Sequence, residues 1–165
     1  NRRSDDYGGS FDNRTRFLRE AIAAVRSEWP GDKPLFVRIS SADWMEGGWE
    51  LESSVKLAQV LKAGGEVDLI DCSSGGIDPR QKMKIHPGYQ VPFAAEIRAR
   101  TGMATGAVGL IYSPDAAEQI VANAQADLII MARAMLNDPY WPLHAAKALK
   151  AKIAWPVQYL RGDIF

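Results

Sequence analysis

Four short apolar runs, at 35–40, 67–73, 103–107 and 127–132, constrain this chain more than any other feature, because each sits between stretches of helical periodicity. They are dominated by apolar residues rather than alternating with polar ones, which is how strands covered on both faces read. Leu18, Ile22, Val25 and Trp29 share one helical face, as do Leu51, Val55, Ala58 and Leu61, and later Ala117, Ile120, Val121 and Ala124. Ser113-Pro114 and Asp138-Pro139 each place a capping side chain before a proline, and Gly64-Gly65 closes the second helix. Regular alternation of helix and strand predicts an α/β fold with parallel strands and crossover helices.

Two architectures accept that pattern. A doubly wound dinucleotide fold calls for G-x-G-x-x-G straight after its first strand, and nothing after Ser40 or Cys72 matches it. A closed barrel instead grips a phosphate with the loops that follow its last two strands. Four strands cannot close a barrel, so the expectation is a single half-barrel over residues 1–165, with four further strands supplied by an absent segment or a partner chain. The opening Asn1-Arg2-Arg3-Ser4 reads as a loop already under way, in keeping with that expectation.

Charge narrows the partners. Twenty basic and twenty acidic side chains cancel, so neither nucleic acid nor an anionic membrane is expected. No apolar run reaches the roughly 20 residues of a membrane helix. Cys72 is the single cysteine, which rules out an internal disulfide and fits a reducing cytoplasm. No metal site can be assembled from two remote histidines, His86 and His144.

The chemistry concentrates at the strand ends, where barrel sites are built. After the third run comes Gly106-Ala107-Val108-Gly109, and after the fourth Met131-Ala132-Arg133-Ala134. A glycine lets backbone N–H groups approach a phosphate, and arginine adds a fork of charged donors. The plainer alternative is a permissive turn at Gly109 and a carboxylate partner for Arg133. Arg38 lies inside an apolar strand, where a permanent cation is costly unless an ion pair or an electron-rich ligand meets it. Spacing leaves both possibilities open.

Several ordered motifs carry a resemblance. Asp6-Tyr7-Gly8-Gly9-Ser10 with Asn13-Arg14, then Phe36-Val37-Arg38-Ile39-Ser40, Asp68-Leu69-Ile70-Asp71-Cys72-Ser73-Ser74-Gly75, Pro87-Gly88-Tyr89-Gln90-Val91 and Ala104-Thr105-Gly106-Ala107-Val108-Gly109 follow in order. Together they resemble the old yellow enzymes, the FMN-dependent ene-reductases. The closing Pro156-Val157-Gln158-Tyr159-Leu160-Arg161-Gly162 is similar to the tail of their thermophilic-like, YqjM-type bacterial branch.

The resemblance implies the C-terminal half, strands five to eight, of a TIM (β/α)8 barrel, completed by a missing N-terminal half. It implies FMN as cofactor and NAD(P)H as hydride donor, with reduction of activated C=C bonds in enones and related electrophilic alkenes. Arg38 would contact the flavin ring near its N1 and O2. Val108 and Gly109, with Ala132 and Arg133, would hold the FMN phosphate, although the family more often has glycine where this chain has Ala132. Tyr159 and Arg161, in a tail spanning 151–165, would reach a neighbouring subunit's site in a homo-oligomer. The pair that holds the substrate carbonyl and the proton-donating tyrosine belong to the missing half, so no catalytic residue is expected in this chain, which alone would be inactive. The rival expectation is a non-catalytic phosphate-binding half-barrel or assembly fragment. A larger reductase with an iron–sulfur extension is disfavoured, because one cysteine cannot hold a cluster.

Other residues read as structural. Cys72 ends a buried strand, Asp71 is expected to bond a neighbouring strand, His86 to lie in a solvated loop and His144 on the last helix. Trp44 and Trp49 flank a loop that either caps the flavin or packs on the following helix.

Overall fold

In the computed structural model, which describes residues 1–162, the strands β1 (Phe36–Ser40), β2 (Leu69–Ser73), β3 (Thr105–Ala107) and β4 (Leu128–Ile129) form one parallel sheet in the order β1-β2-β3-β4. Helices α1 (Phe11–Glu28), α2 (Leu51–Gly64), α3 (Val91–Thr101) and α4 (Pro114–Ala122) alternate with them. The short α5 (Arg133–Asn137), α6 (Trp141–Ala148) and a 3-10 turn at Val157–Gly162 complete the chain.

Register sorts the strand residues into two faces. One row runs Ile39, Cys72, Ala107 and Ile129, and the next runs Arg38, Asp71, Gly106 and Leu128. The first row joins Val55, Ala58 and Leu61 of α2, Ala94 and Ile97 of α3, and Ala117 and Ile120 of α4 in the main core. The second row faces away from those helices, and there Phe36 and Leu128 remain 50% and 43% exposed. A doubly wound sheet carries helices on both faces, whereas a barrel carries them outside only. Four parallel strands in sequence order, helix-covered on one face and open on the other, are half of a (β/α)8 barrel.

Local chemistry sets the element ends. Ser10 caps α1 by accepting the Asn13 N–H, and Ser113 caps α4 by accepting the Ala116 N–H ahead of Pro114. Gly65 ends α2 with φ 70°, a left-handed conformation that glycine adopts without steric cost. Asp138 departs from the sequence expectation. It starts no helix; its carboxylate accepts the Tyr140 N–H and meets His144 Nδ1 at 2.7 Å, while α6 begins at Trp141 with Pro142 in its first turn. The cap is thus spent on the turn between α5 and α6, and α5 itself was not foreseen. Val25 and Trp29 are also not part of the buried face of α1, being 45% and 42% exposed, although Ile22 on the same stripe is buried.

The end of the sheet opposite the strand C-termini is pinned by one device used twice. Arg26 bonds Asp68, whose carboxylate also accepts the Leu35 N–H; Arg98 bonds Asp127, whose carboxylate accepts the Thr105 N–H. In the middle of the core, Ile97 is fully buried. Ile97→Ala is expected to cost about 2–5 kcal/mol of stability, read as a lowered denaturant midpoint with an unchanged slope.

Candidate functional site

The C-terminal ends of β3 and β4 open into one cavity of about 220 Å³ that brings Val108, Gly109, Ala132 and Arg133 together, with Ser73, Tyr89, Gln90 and Leu110 among the other residues of its wall. Gly109 has φ +126°, and a Cβ there would stand 2.9 Å from Gln90 Nε2 and 3.1 Å from the Tyr89 ring, so the turn has room for no side chain. Leu110 follows at φ 53°, which a non-glycine residue adopts only at a cost. Neither the Gly109 nor the Leu110 N–H has an acceptor among the described residues. Arg133 opens α5, is exposed and forms no ion pair among the described residues. The carboxylate partner that the plainer sequence reading allowed is thus not present there. Two unbonded backbone donors and a cationic fork among the residues of one small cavity are a donor set that suits a tetrahedral anion.

Sequence reasoning assigned no role to Gln90, which is 3% exposed at the entrance to α3. Its Oε1 accepts from Ser74 Oγ at 2.8 Å and its Nε2 donates to the Val108 carbonyl at 3.0 Å. Ser74 Oγ in turn accepts from Trp44 Nε1 at 3.0 Å. The available signal was Gln-Val-Pro: proline in a first helical turn puts the glutamine at the helix entrance, among the loops that follow the strands.

Arg38 lies outside that cavity, on the open face of β1. It is not the buried cation that an interior strand suggests: its side chain is 58% exposed, because the edge strand turns it to the uncovered side. Its Nε donates to Asp71 Oδ2 at 2.5 Å, on the neighbouring strand. The ion pair, one of the two alternatives left open by spacing, is therefore present. One edge of the guanidinium is paired, while its two terminal nitrogens have no partner among the described residues. Asp71 Oδ1 is buried and also lacks a partner among them. A fixed cation with free donors suits an electron-rich ring edge, and FMN presents such an edge together with a phosphate, so the residues present fit the group.

The remaining candidates separate cleanly. Trp49 packs onto the following helix, donating to Ser54 Oγ and stacking on Phe11, whereas Trp44 sits edge-on to Phe93. His86 is exposed and turned to the Pro87 carbonyl. Tyr159 packs edge-on against Tyr140 in the tail, with Arg161 two residues on; residues 163–165 of the expected 151–165 tail lie outside the described residues. Among the described residues no group of three or more metal-ligating side chains forms, and no helix is long and apolar enough to cross a membrane.

Cys72 is fully buried, and burial, aided by the Asp71 charge, pushes its thiol up to about 12. A thiol so raised stays protonated, and the stability it contributes is present at neutral pH and lost as pH climbs toward that value. Iodoacetamide at pH 8 is expected to leave Cys72 unlabelled in the folded protein and to label it on unfolding, by intact mass.

A family profile described as NADH:flavin oxidoreductase / NADH oxidase matches residues 1–152. An NADPH dehydrogenase of Halalkalibacterium halodurans is 52% identical over 162 residues, 98% of this chain and 47% of that protein. The NADPH dehydrogenase of Bacillus subtilis is 48% identical, again over 98% of this chain and 47% of its own length. The chain thus spans about half the length of the curated relatives it matches. Among solved structures, a 2-naphthoyl-CoA reductase complex superposes with a TM-score of 0.80 at 30% identity, covering 90% of this chain and 23% of the other. A 6-hydroxypseudooxynicotine amine oxidase of Pseudomonas geniculata N1 does so at 0.70 and 28%, covering 91% and 23%. Profile, relatives and half-barrel geometry agree with the motifs that resemble old yellow enzymes: the chain belongs to the NADH:flavin oxidoreductase / NADH oxidase family.

Proposed function

We propose that this chain is the cofactor-gripping half of an FMN-dependent NAD(P)H oxidoreductase that reduces activated C=C bonds. The observation that carries this reading is the cradle itself, in which Gly109 and Leu110, whose N–H groups are unbonded among the described residues, line the same small cavity as Arg133. Val108, Gly109, Ala132 and Arg133 hold the phosphate, and the Ala132 methyl leaves its backbone N–H available. Arg38, steadied by Asp71, presents its terminal nitrogens to the flavin's polar edge. Such a preplaced cation stabilises negative charge without reorganising at the moment of reaction. FMN, when bound, would supply the two-electron chemistry that links NAD(P)H to the alkene.

The rest of the site comes from a complementary N-terminal half-barrel. α1 leads into β1 and α6 follows β4, so the chain already supplies a helix before its first strand and after its last. A second copy would bring two helices to a place where a barrel has one; four strands joined by three helices complete it without that conflict. That half supplies the residues that hold the substrate carbonyl and the proton donor, and this chain alone is inactive. Tyr159 and Arg161 reach a neighbouring subunit in a homo-oligomer of the completed barrel. The unpaired Cys72 suits a cytoplasmic location. The full-length protein, meaning this chain completed by its N-terminal half-barrel, should when purified copurify with or take up FMN and consume NADPH with cyclohexenone as acceptor. Protein that neither binds flavin nor oxidises NADPH would sink the proposal.

A further inference from the structure

We infer that Gln90 is a positioning residue that sets the direction of the Gly109 N–H in the phosphate cradle, held in place by Ser74 and Trp44. The inference rests on the phosphate-binding reading of that cavity and assigns a part to residues outside the glycine–arginine pair.

Glycine at φ +126° gives the turn its shape but cannot choose it, since a residue without a Cβ has many conformations of similar energy. Something adjacent must select one. A trans peptide is planar, with its C=O and N–H pointing opposite ways, so fixing a carbonyl fixes the next N–H. Gln90 Nε2 holds the Val108 carbonyl at 3.0 Å, which directs the Gly109 N–H away from Gln90. The Gly88 N–H holds the Gly109 carbonyl at 2.9 Å, which does the same for the Leu110 N–H. Both peptide planes flanking Gly109 are therefore gripped by the segment that leads into α3. The backbone grip from Gly88 is insensitive to side-chain identity. The grip from Gln90 is not.

The amide is itself held. At 3% exposure, its Oε1 is taken by Ser74 and its Nε2 by Val108, which fixes the amide's orientation. Trp44 Nε1 donates to the same Ser74 hydroxyl, so one chain of bonds runs from the loop after β1, through that after β2, to the cradle after β3. A residue that merely filled space here would need neither end of the amide. The packing of Nε2 against the Gly109 turn also explains why that turn admits no side chain.

The test is the ratio of FMN to riboflavin affinity in the full-length protein, measured by flavin fluorescence quenching. Riboflavin lacks the phosphate, so a residue that only supports the fold changes both affinities together. Gln90→Met keeps the volume, adds no charge and removes both bonds; it is expected to lower the ratio about fivefold to tenfold, with riboflavin binding unchanged. Ser74→Ala, which keeps the amide but frees it, should shift the ratio the same way by less, and it decides the matter if Gln90→Met does not fold. A wild-type preference for FMN that both variants retain overturns the role of Gln90 alone. A wild type that binds the two flavins equally overturns the phosphate reading, and this inference with it.

Discussion

Arg38→Leu in the full-length protein is expected to slow the bleaching of flavin absorbance by NADPH about 10²–10³-fold while FMN stays bound, the loss typical of removing one preplaced donor from a site of developing charge. Leucine keeps part of the stem and removes the cation. The two-sided use of the guanidinium makes the effect large, because Asp71 at 2.5 Å fixes the side chain before any ligand arrives. Arg38→Lys should recover little of the rate. A single ammonium cannot bond Asp71 through one edge and offer a planar fork through the other. Stopped-flow traces at saturating FMN separate this from a binding defect. Near-normal bleaching in Arg38→Leu would remove Arg38 from the chemistry and leave it an ion-pair partner of Asp71.

Arg133→Ala is the second large effect. A charge-assisted pair of hydrogen bonds to phosphate contributes about 1.5–3 kcal/mol, so FMN should bind roughly 10- to 150-fold more weakly while riboflavin is unaffected. Salt provides a second readout. Added salt should weaken FMN binding more in the wild type than in Arg133→Ala, because the variant has lost the cation that salt screens. Equal losses for both flavins would mean that Arg133 supports α5 rather than the ligand.

The difference between these two arginines shows what the residue order conveyed and what it did not. The parallel α/β pattern was legible, because buried strands and helical stripes differ in period. The glycine and arginine turns were legible as well, because strand C-termini share one end of such a sheet. The surroundings of Arg38 were not. Whether a strand cation is buried or turned to an open face depends on which face its neighbours cover, and that follows only from the register with Asp71. Asp138 misled for a related reason: a carboxylate before proline caps whatever N–H lies within reach, and here that belongs to Tyr140 in a turn. Gln90 went unassigned because its two partners, Ser74 and Val108, stand 16 and 18 residues away and meet it only when three loops converge.

The structure also orders the parts by how firmly they are built. The glycine turn is braced by Gln90 and Gly88 before any ligand arrives, whereas Arg133 is exposed and unpaired among the described residues. On the proposed phosphate reading, the braced backbone turn would supply shape and the exposed cation charge. The open face leaves Phe36 and Leu128 exposed in the same way, as surface that the proposed N-terminal half would cover.

The claim that Arg38 and the cradle form one wall of a flavin site is tested most directly by a crystal structure of the full-length protein with FMN. The phosphate is expected between Gly109 and Arg133, accepting the Gly109 and Leu110 N–H groups, with the polar edge of the flavin at the terminal nitrogens of Arg38. A phosphate bound elsewhere, or a flavin out of reach of Arg38, would contradict it.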